Sequence, residues 1–460
     1  MNGTNTSNPF KKQSTFEPEG PAFVSFFFLN IIRLNNQVFM IHKRLSIIVV
    51  LVLILVLTAS ILWFSRSHIS EKHRAKGMAF LQDKKYPEAL REFKTACTWY
   101  GKSARAVMGK AQAEYHLSMY EQARDDVNRS LSGDSTLTEA FLYRGLLNLK
   151  ADDRAGAVAD FSKVISLDSV NDQAYYQRGI ARAALSDFAG SVADYRKSME
   201  LDRENKDAYL KSVEARSALE DYKGAISDYD KLLNVDINNG DALASRGYLK
   251  LNINDLEGAL ADFNKALVIN PRNIDVIFDR GSAFARKGDF QSAVKDFGKS
   301  IESSHKIGQS YYNRALALMN LKKLDEASRD IKEVLKIEPE NADAYLMMGV
   351  ICSMKQDYKG SVSFYDKAIA INPNFAEAYF NRGVSKGNQK LHEDALPDYN
   401  KAIELRSNYP EAYFSRAVSE LNLQQTSSAC RDLHKARELG YKNADELISI
   451  HCNQSAGSSK

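Results

Sequence analysis

Basic and acidic side chains recur in this sequence with a fixed spacing. A Lys or Arg stands at one place of a 34-residue period nine times, and an Asp or Glu follows each of them after 16 residues. Such a row of cations suits phosphate or carboxylate binding, whereas a cation matched to an acid suits an internal ion pair. Both partners are lost together at Met348 and Phe364, so we interpret the pattern as structural ion pairs. The paired positions are Lys76–Glu92, Lys110–Asp126, Arg144–Asp160, Arg178–Asp194, Arg246–Asp262, Arg280–Asp296, Arg314–Asp330, Arg382–Asp398 and Arg416–Asp432.

The four cysteines and eight histidines form no pattern typical of a metal or redox site. Cys97, Cys352, Cys430 and Cys452 contain no C-x-x-C pair, and no H-x-x-x-H pair has an acidic partner. We expect the cysteines to be small buried hydrophobic residues, without a disulfide framework. We identify no catalytic constellation, and therefore expect no enzyme, no metal, no cofactor and no small-molecule substrate.

The charge of the chain is nearly balanced. The net charge is +4 over 460 residues, and residues 1–69 carry that whole excess. A neutral body lacks the positive surface of a general nucleic-acid-binding protein. Nucleic acid is therefore not an expected partner.

The elements that position these charges repeat every 34 residues over residues 70–443. Position 8 of the repeat is Gly or Ala in ten of eleven cases, position 20 is always Ala or Ser, and position 24 is always large and apolar. Small residues let two short helices approach closely while large residues fill the space beside them. The pattern predicts eleven helix–turn–helix repeats, with N-caps at Asn171, Asn205, Asn239, Asn273 and Asn341. The repeats start at Ser70, Ala104, Thr138, Asp172, Lys206, Gly240, Ile274, Gly308, Ala342, Ala376 and Pro410.

At these residues the sequence resembles an array of tetratricopeptide repeats (TPRs). The resemblance implies an all-α solenoid, a superhelix in which the first helix of each repeat lines a concave groove that binds peptides or protein surfaces. Arg182, Arg216, Lys250 and Lys386 depart from the family pattern at position 11, where tyrosine is usual. Residues 444–460 are expected to form a capping helix and a tail.

The resemblance also implies that positions 2, 5, 9, 12 and 13 face the groove. The first helix of repeat nine, residues 345–354, is apolar on every face, which indicates either burial or a bound partner. We expect an apolar peptide site centred on repeats eight to ten; the alternative is that neighbouring repeats cover these side chains. The Lys and Asn set with which some TPR proteins bind acidic chaperone tails does not occur in three consecutive repeats. The expected groove residues are Tyr176, Phe278, Tyr312, Met319, Leu346, Met347, Val350, Met354, Phe380 and Phe414.

Residues 45–64 are an uncharged apolar run of twenty residues. At about 1.5 Å per residue, a helix of that length spans about 30 Å, the thickness of a bilayer's hydrocarbon core. A cleavable signal peptide is the alternative, with a small-residue site at Thr58, Ala59 and Ser60. The apolar run continues beyond that site to Phe64, which favours a transmembrane anchor. Basic residues flank the run on both sides, so the side on which the repeats lie stays open.

The segment before the apolar run, residues 1–44, is expected to be polar and disordered, or to lack residues 1–39 if translation starts at Met40. Taken together, the sequence predicts a single-pass membrane protein that acts as a protein–protein interaction scaffold. The alternative is a targeting receptor or co-chaperone-like adaptor that captures peptide segments. In both cases the expected partners are other proteins or peptide segments.

Overall fold

A computed structural model describes residues 22–452, and every regular element within that range is an α-helix. Twenty-three helices follow one another there, which confirms the predicted all-α fold. The expected disordered start at residues 1–21 and the expected tail at residues 453–460 lie outside the described residues. The chain divides into two compact units, Met1–Val170 and Asn171–Lys460. We call them the N-terminal block and the C-terminal block and describe each by itself.

The N-terminal block contains six helices. The first is 61 residues long and includes both the apolar run and the first helix of repeat one. It begins at Ala22, so residues 22–44, for which the sequence suggested disorder or absence, are helical in the structure. The helices are α1 (Ala22–Gln82), α2 (Tyr86–Trp99), α3 (Ala104–His116), α4 (Tyr120–Gly133), α5 (Thr138–Lys150) and α6 (Arg154–Leu167).

The C-terminal block contains eight helix pairs and one final helix. They are α7 (Asp172–Ala184), α8 (Phe188–Leu201), α9 (Lys206–Ala218), α10 (Tyr222–Val235), α11 (Gly240–Asn252), α12 (Leu256–Ile269), α13 (Ile274–Lys287), α14 (Phe290–Glu302), α15 (Ile307–Asn320), α16 (Leu324–Ile337), α17 (Ala342–Met354), α18 (Tyr358–Ile371), α19 (Ala376–Asn388), α20 (His392–Leu405), α21 (Pro410–Asn422), α22 (Thr426–Glu438) and α23 (Ala444–His451).

Side-chain caps explain where many of these helices begin. In five first helices an asparagine accepts a hydrogen bond from the backbone N–H three residues later, as Asn171 does from Ala174. In six second helices an aspartate does the same, as Asp187 does from Gly190. Each such cap stabilises its helix by about 1 kcal/mol. The capping asparagines are Asn171, Asn205, Asn239, Asn273 and Asn341.

A glycine facing an aromatic ring closes most helix pairs. In repeat four, a Cβ atom added to Gly179 would lie 2.6 Å from Cε1 of Tyr195, whose side chain is buried. Gly145 faces Phe161 and Gly383 faces Tyr399 in the same way. Because real Cβ contacts are longer than this, only glycine fits at these places without moving the ring.

We expect Gly179→Ala to destabilise the protein by about 1–3 kcal/mol, since the added methyl group overpacks the contact with Tyr195. Alanine ordinarily stabilises a helix interior by about 1 kcal/mol relative to glycine, so the sign of the effect is diagnostic. Gly298→Ala is the matched control, because its added Cβ would have its nearest neighbour, Arg314, at 3.6 Å. Thermal unfolding monitored by circular dichroism measures both. Equal upward shifts of the two melting temperatures would contradict the close packing.

The apolar part of α1 is exposed in the structure. The stretch His42–Gln82 contains a window of mean hydropathy 3.2, and all side chains of residues 45–64 are exposed. By length and composition this helix can cross a membrane, and a signal sequence near an N-terminus has the same properties.

Candidate functional site

Arginine–aspartate pairs hold the two helices of a repeat together. Arg246 donates from Nε and Nη2 to the two carboxylate oxygens of Asp262, at 2.8 and 2.6 Å. The aspartate is 2% exposed, and its hydrogen bonds raise the pKa of Arg246. Bidentate contacts between arginine and a carboxylate are among the stronger charged hydrogen bonds. The pairs in this arrangement are Arg144–Asp160, Arg178–Asp194, Arg246–Asp262, Arg280–Asp296, Arg314–Asp330, Arg382–Asp398 and Arg416–Asp432.

Four of these arginines also reach the preceding repeat. The free Nη1 of Arg246 donates to Asp230 at 2.6 Å, and that of Arg382 donates to Asp366 at 2.5 Å. Arg280 and Arg416 donate to Asn264 at 2.8 Å and Asn400 at 2.6 Å, at the equivalent positions. One guanidinium therefore joins its own two helices and the repeat before it, whereas the sequence analysis expected contacts within one repeat only.

The unusual cations at position 11 add a second donor to the same aspartates. Arg182 donates to Asp194 and Lys250 donates to Asp262, both at 2.8 Å. Lys386 contacts Asp398 at 2.8 Å. The constant offset of 12 residues between cation and acid was the sequence signal for these contacts.

In repeat five the cation at position 11 takes the place of the usual arginine, and Lys231 also lies 3.2 Å from the carboxylate of Asp228. Ser212 stands where other repeats have Arg or Lys, and it donates to Asp228 at 2.6 Å. Arg216 supplies the positive charge, also to Asp228, at 2.8 Å. The buried carboxylate is thus neutralised in a repeat that has lost the usual arginine.

Repeat one departs from the expected pairing. The Glu92 carboxylate lies 2.6 Å from Nδ1 of His73, and Lys76 is exposed to solvent, so the expected Lys76–Glu92 pair is wrong. In repeat two, Lys110 contacts Asp126 at 2.6 Å. Since most cations of the row hold buried acids, they are committed to the fold and do not form a free anion-binding ladder.

The inner face of the C-terminal block is formed by the first helices of its repeats. Helix α13 contacts both α11 and α15, its counterparts in the repeats on either side. A cleft of about 770 Å³ opens on this face across repeats five to seven. We call it the acidic cleft; among its lining residues are Tyr222, Tyr229, Asp241, Tyr248, Asp275 and Asp279.

The residues of α11 that line the acidic cleft follow the helical period. Asp241, Ser245, Tyr248 and Asn252 are spaced by four, three and four residues, which puts them on one side of the helix. The family resemblance implied positions 2, 9 and 13 of this set. Ser245 and Asp279, at position 6 of repeats six and seven, were missed, although Met347 at the same position of repeat nine was among the expected groove residues.

The charges and rings of the acidic cleft favour cationic ligands. Burial raises the pKa of the Asp279 carboxyl; Lys306 and His305 lower it, while the Asp275 carboxylate raises it. Tyr248 remains 50% exposed and presents its ring to solvent. Carboxylates beside accessible phenol rings bind cationic groups well, because ion pairing and cation–π attraction act together.

A second cleft of about 520 Å³ lies beside the first, across repeats seven to nine. Its lining includes Phe278, Tyr312, Asn313 and Asp343. Burial and the nearby carboxylates of Asp343 and Glu377 raise the pKa of Tyr312. We call it the small cleft.

A lysine of the chain itself shows how a cation is held at the border between the two clefts. Nζ of Lys306 lies 4.7 Å from the centroid of the Phe278 ring and 3.4 Å from the Asp275 carboxylate. An aromatic face and an acid together thus accommodate an ammonium group in this part of the groove.

The structure does not bring the expected apolar groove residues together. Met347 is 7% exposed and packs in the core with Leu318 and Ile331, and the partly buried Met319 packs against the same core. Residues of repeat eight cover Met347, so assigning Met347 to an open groove is wrong, whereas Met319 stays partly exposed. Leu346 and Val350 are half-buried, and Met354 is 43% exposed.

The expected aromatic groove residues mainly pack against other aromatic rings between the helices. Phe278 is buried and packs edge-on against Phe297, at 5.6 Å between ring centroids. Tyr176, Phe380 and Phe414 are half-buried and contact other rings. Of the expected aromatic residues, Phe278 and Tyr312 line a cleft. The other ring pairs are Tyr176–Tyr195, Phe380–Tyr409 and Phe414–Tyr441, with centroids 6.0, 4.9 and 4.9 Å apart.

Comparison with known families agrees with this architecture. Sequence models described as tetratricopeptide repeat match residues 74–136, 308–341, 342–375 and 376–409. The chain contains tetratricopeptide repeats. Such TPRs imply a scaffold for protein–protein interactions. No curated protein matches the chain.

Several solved structures resemble the chain in fold. A tetratricopeptide repeat protein from Parabacteroides merdae is 19% identical, with 54% of this chain and 99% of that chain covered and a TM-score of 0.46. Yeast Tom70 is 14% identical, with 86% and 98% covered and a TM-score of 0.41. One chain in the structure of the APC/C hetero-tetramer Cut9–Hcn1 is 13% identical, with 85% of this chain and 98% of that chain covered and a TM-score of 0.40.

Proposed function

We propose that this protein is a membrane-anchored scaffold that holds an extended, basic segment of a partner protein in the groove of repeats five to nine. The observation that carries the proposal is the acidic cleft, which combines Asp241 and Asp279 with the exposed ring of Tyr248, beside Asp275, which Lys306 and His305 already contact. A lysine or arginine side chain satisfies both kinds of group at once.

The neighbouring clefts favour an extended occupant over a compact one. Helix α13 borders both, since Asp275 and Asp279 line the acidic cleft and Phe278 lines the small cleft. A strand-like peptide places successive side chains on alternate sides, about 3.3 Å apart along its length. Such a peptide fills both clefts with several side chains, whereas a folded surface contacts only their rims.

The binding test uses the full-length protein in detergent and a fluorescein-labelled dodecapeptide of alternating lysine and serine, measured by fluorescence anisotropy. We expect micromolar affinity that weakens as salt rises, because the attraction is between partly exposed charges. The variant Asp241→Asn/Asp279→Asn is expected to bind at least about tenfold more weakly, corresponding to about 1.4 kcal/mol, and Tyr248→Ala is expected to weaken binding also.

Two controls decide the outcome of the binding test. Asp394→Asn removes an exposed acid from the second helix of repeat ten and is expected to leave affinity unchanged. A peptide with glutamate in place of lysine is expected not to bind. If that peptide binds equally well, or if Asp394→Asn weakens binding as much as the cleft variant does, the basic-segment proposal is wrong.

The membrane part of the proposal rests on the long apolar stretch of α1. We expect the full-length protein to sediment with membranes and to resist extraction at alkaline pH. A variant that lacks residues 45–64 is expected in the soluble fraction with its helical content retained. Release of the intact protein by alkaline treatment would contradict a transmembrane anchor.

A further inference from the structure

We infer that the end of α2 and the turn after it, residues 99–102, lie in the headgroup layer of the bilayer that α1 crosses, so that repeat one docks on the lipid surface. This inference rests on the membrane anchor of the proposed function and adds a second contact with the same membrane. The lipid-facing groups are Trp99, Tyr100 and Lys102, beside Trp63 and Arg66 of α1.

Helix α1 continues without interruption from the apolar run into repeat one. The helix runs from Ala22 to Gln82, so the apolar run and the first helix of repeat one are one rod without a linker. A helix rises about 1.5 Å per residue, which places Ser70 only about 9 Å beyond the end of the apolar run at Phe64. Repeat one therefore begins at the membrane surface.

Two polar contacts define the register between α1 and α2. His73 lies 2.6 Å from Glu92, and the hydroxyl of Ser70 donates to the carbonyl of Ala96 at 2.9 Å. The two helices are antiparallel, so each step toward the bilayer along α1 is matched by a step toward the C-terminal end of α2. Following that register, the end of α2 reaches the level of the apolar run.

The contact between Tyr100 and Trp63 indicates how deep the end of α2 lies in the bilayer. The ring of Tyr100 packs edge-on against Trp63, with centroids 6.2 Å apart. Trp63 is the second-last residue of the apolar run, where the hydrocarbon core gives way to the headgroups. Tyr100 therefore lies at the same boundary, and the adjacent Trp99 is brought to it as well.

The side chains at this level have the chemistry of a bilayer interface. Trp99 is 44% exposed, and Trp63 and Phe64 are 57% and 68% exposed. Tryptophan and tyrosine are enriched at headgroup level because their rings are apolar at one end and polar at the other. Arg66 and Lys102 are exposed beside them and can bind lipid phosphates.

The chain contains two tryptophans, Trp63 and Trp99, which makes the depth of each measurable. Trp63→Phe leaves Trp99 as the single emitter, and Trp99→Phe leaves Trp63. Each full-length variant is placed in phosphatidylcholine–phosphatidylglycerol vesicles, with and without lipid brominated near the headgroup. We expect the bromolipid to quench Trp99 by a share similar to that of Trp63, and aqueous iodide to quench Trp99 poorly.

A matched control places a tryptophan at the other end of the same helix. Lys85→Trp, in a chain that also carries Trp63→Phe and Trp99→Phe, lies about 20 Å from Trp99 along α2. Because Lys85 is exposed, we expect iodide but not bromolipid to quench this emitter. Bromolipid quenching at position 85 would overturn the inference, since the repeat would then be immersed rather than docked.

The two tryptophans separate the possible failures. If bromolipid quenches Trp63 but not Trp99, and iodide reaches Trp99, the turn faces water or a protein partner and the inference is wrong, while the anchor stands. If bromolipid quenches neither tryptophan, α1 does not cross the bilayer, and the membrane part of the proposed function fails with it.

Discussion

We expect Met347→Glu to unfold the centre of the C-terminal block. Met347 is 7% exposed among Leu318, Ile331 and Ile351, so a carboxylate there has to be ionised in an apolar core or protonated at a cost. Burying an unpaired charge is one of the few single changes that cost more than about 4 kcal/mol. Since each repeat is stabilised chiefly by its neighbours, repeats eight and nine are expected to open first.

Met354→Glu is the matched control on the same helix. Its side chain is 43% exposed at the last residue of α17, so the change is expected to cost less than about 1 kcal/mol, the usual size of an unfavourable charge at a helix end. Hydrogen–deuterium exchange of peptides from α15 to α18 measures both variants. Fast exchange in Met347→Glu and native exchange in Met354→Glu is the expected result. Native exchange in both would show that Met347 is not core.

The second large effect concerns a disulfide bond that the sequence analysis did not expect. Cys430 and Cys452 are bonded, with Cα atoms 5.6 Å apart, so the expectation of four free cysteines is wrong. The bond ties α23 to α22, where Ala444 and Ile448 are buried against Leu433. We expect Cys430→Ser to destabilise this end by about 3 kcal/mol, the value for a closed loop of this length.

Exchange of α22 and α23 with and without reducing agent measures the contribution of the disulfide. Cys352→Ser is the control, because Cys352 is a free, partly buried thiol on α17, and we expect no change at the C-terminal end. Reduction that leaves the exchange of α23 unaltered would contradict a stabilising bond. Cytosolic thiols are kept reduced, so an oxidised bond in cells alkylated before lysis would place the last repeats outside the cytosol.

The sequence predicted best what depends on contacts inside one repeat. Helix α3 begins at Ala104 and α11 at Gly240, both at predicted starts, because caps and small residues recur at fixed positions. The Arg280–Asp296 pair followed from its 16-residue offset, since both partners belong to the same helix pair.

What the sequence did not predict depends on contacts between repeats. Position 6 is buried at Met347, where a neighbouring repeat covers it, but it lines a cleft at Asp279. The bridge from Arg246 to Asp230 needs the spacing of adjacent repeats, and the Cys430–Cys452 bond needs α23 folded back on α22. Periodicity defines each repeat well and says little about how far its neighbours enclose it.

The bridging arginines have a mechanical consequence. They join repeats five to six, six to seven, nine to ten and ten to eleven. On either side of repeat eight the pattern differs, because Gly298 and Lys332 stand where Asp230 and Asn264 accept a bond elsewhere, and Met348 replaces the arginine of repeat nine.

Apolar contacts such as that of Met348 are short-ranged and have no preferred direction. They therefore permit small sliding of adjacent repeats, which a bidentate hydrogen bond resists. The stiffness of the C-terminal block is therefore expected to be low beside repeat eight and insensitive to salt there; the joint before repeat five, where Ser212 replaces the arginine, lacks this bridge too. The small cleft crosses both compliant joints beside repeat eight, so its width can adapt to the bulk of a bound side chain, while the acidic cleft keeps a fixed shape between repeats that arginines bridge.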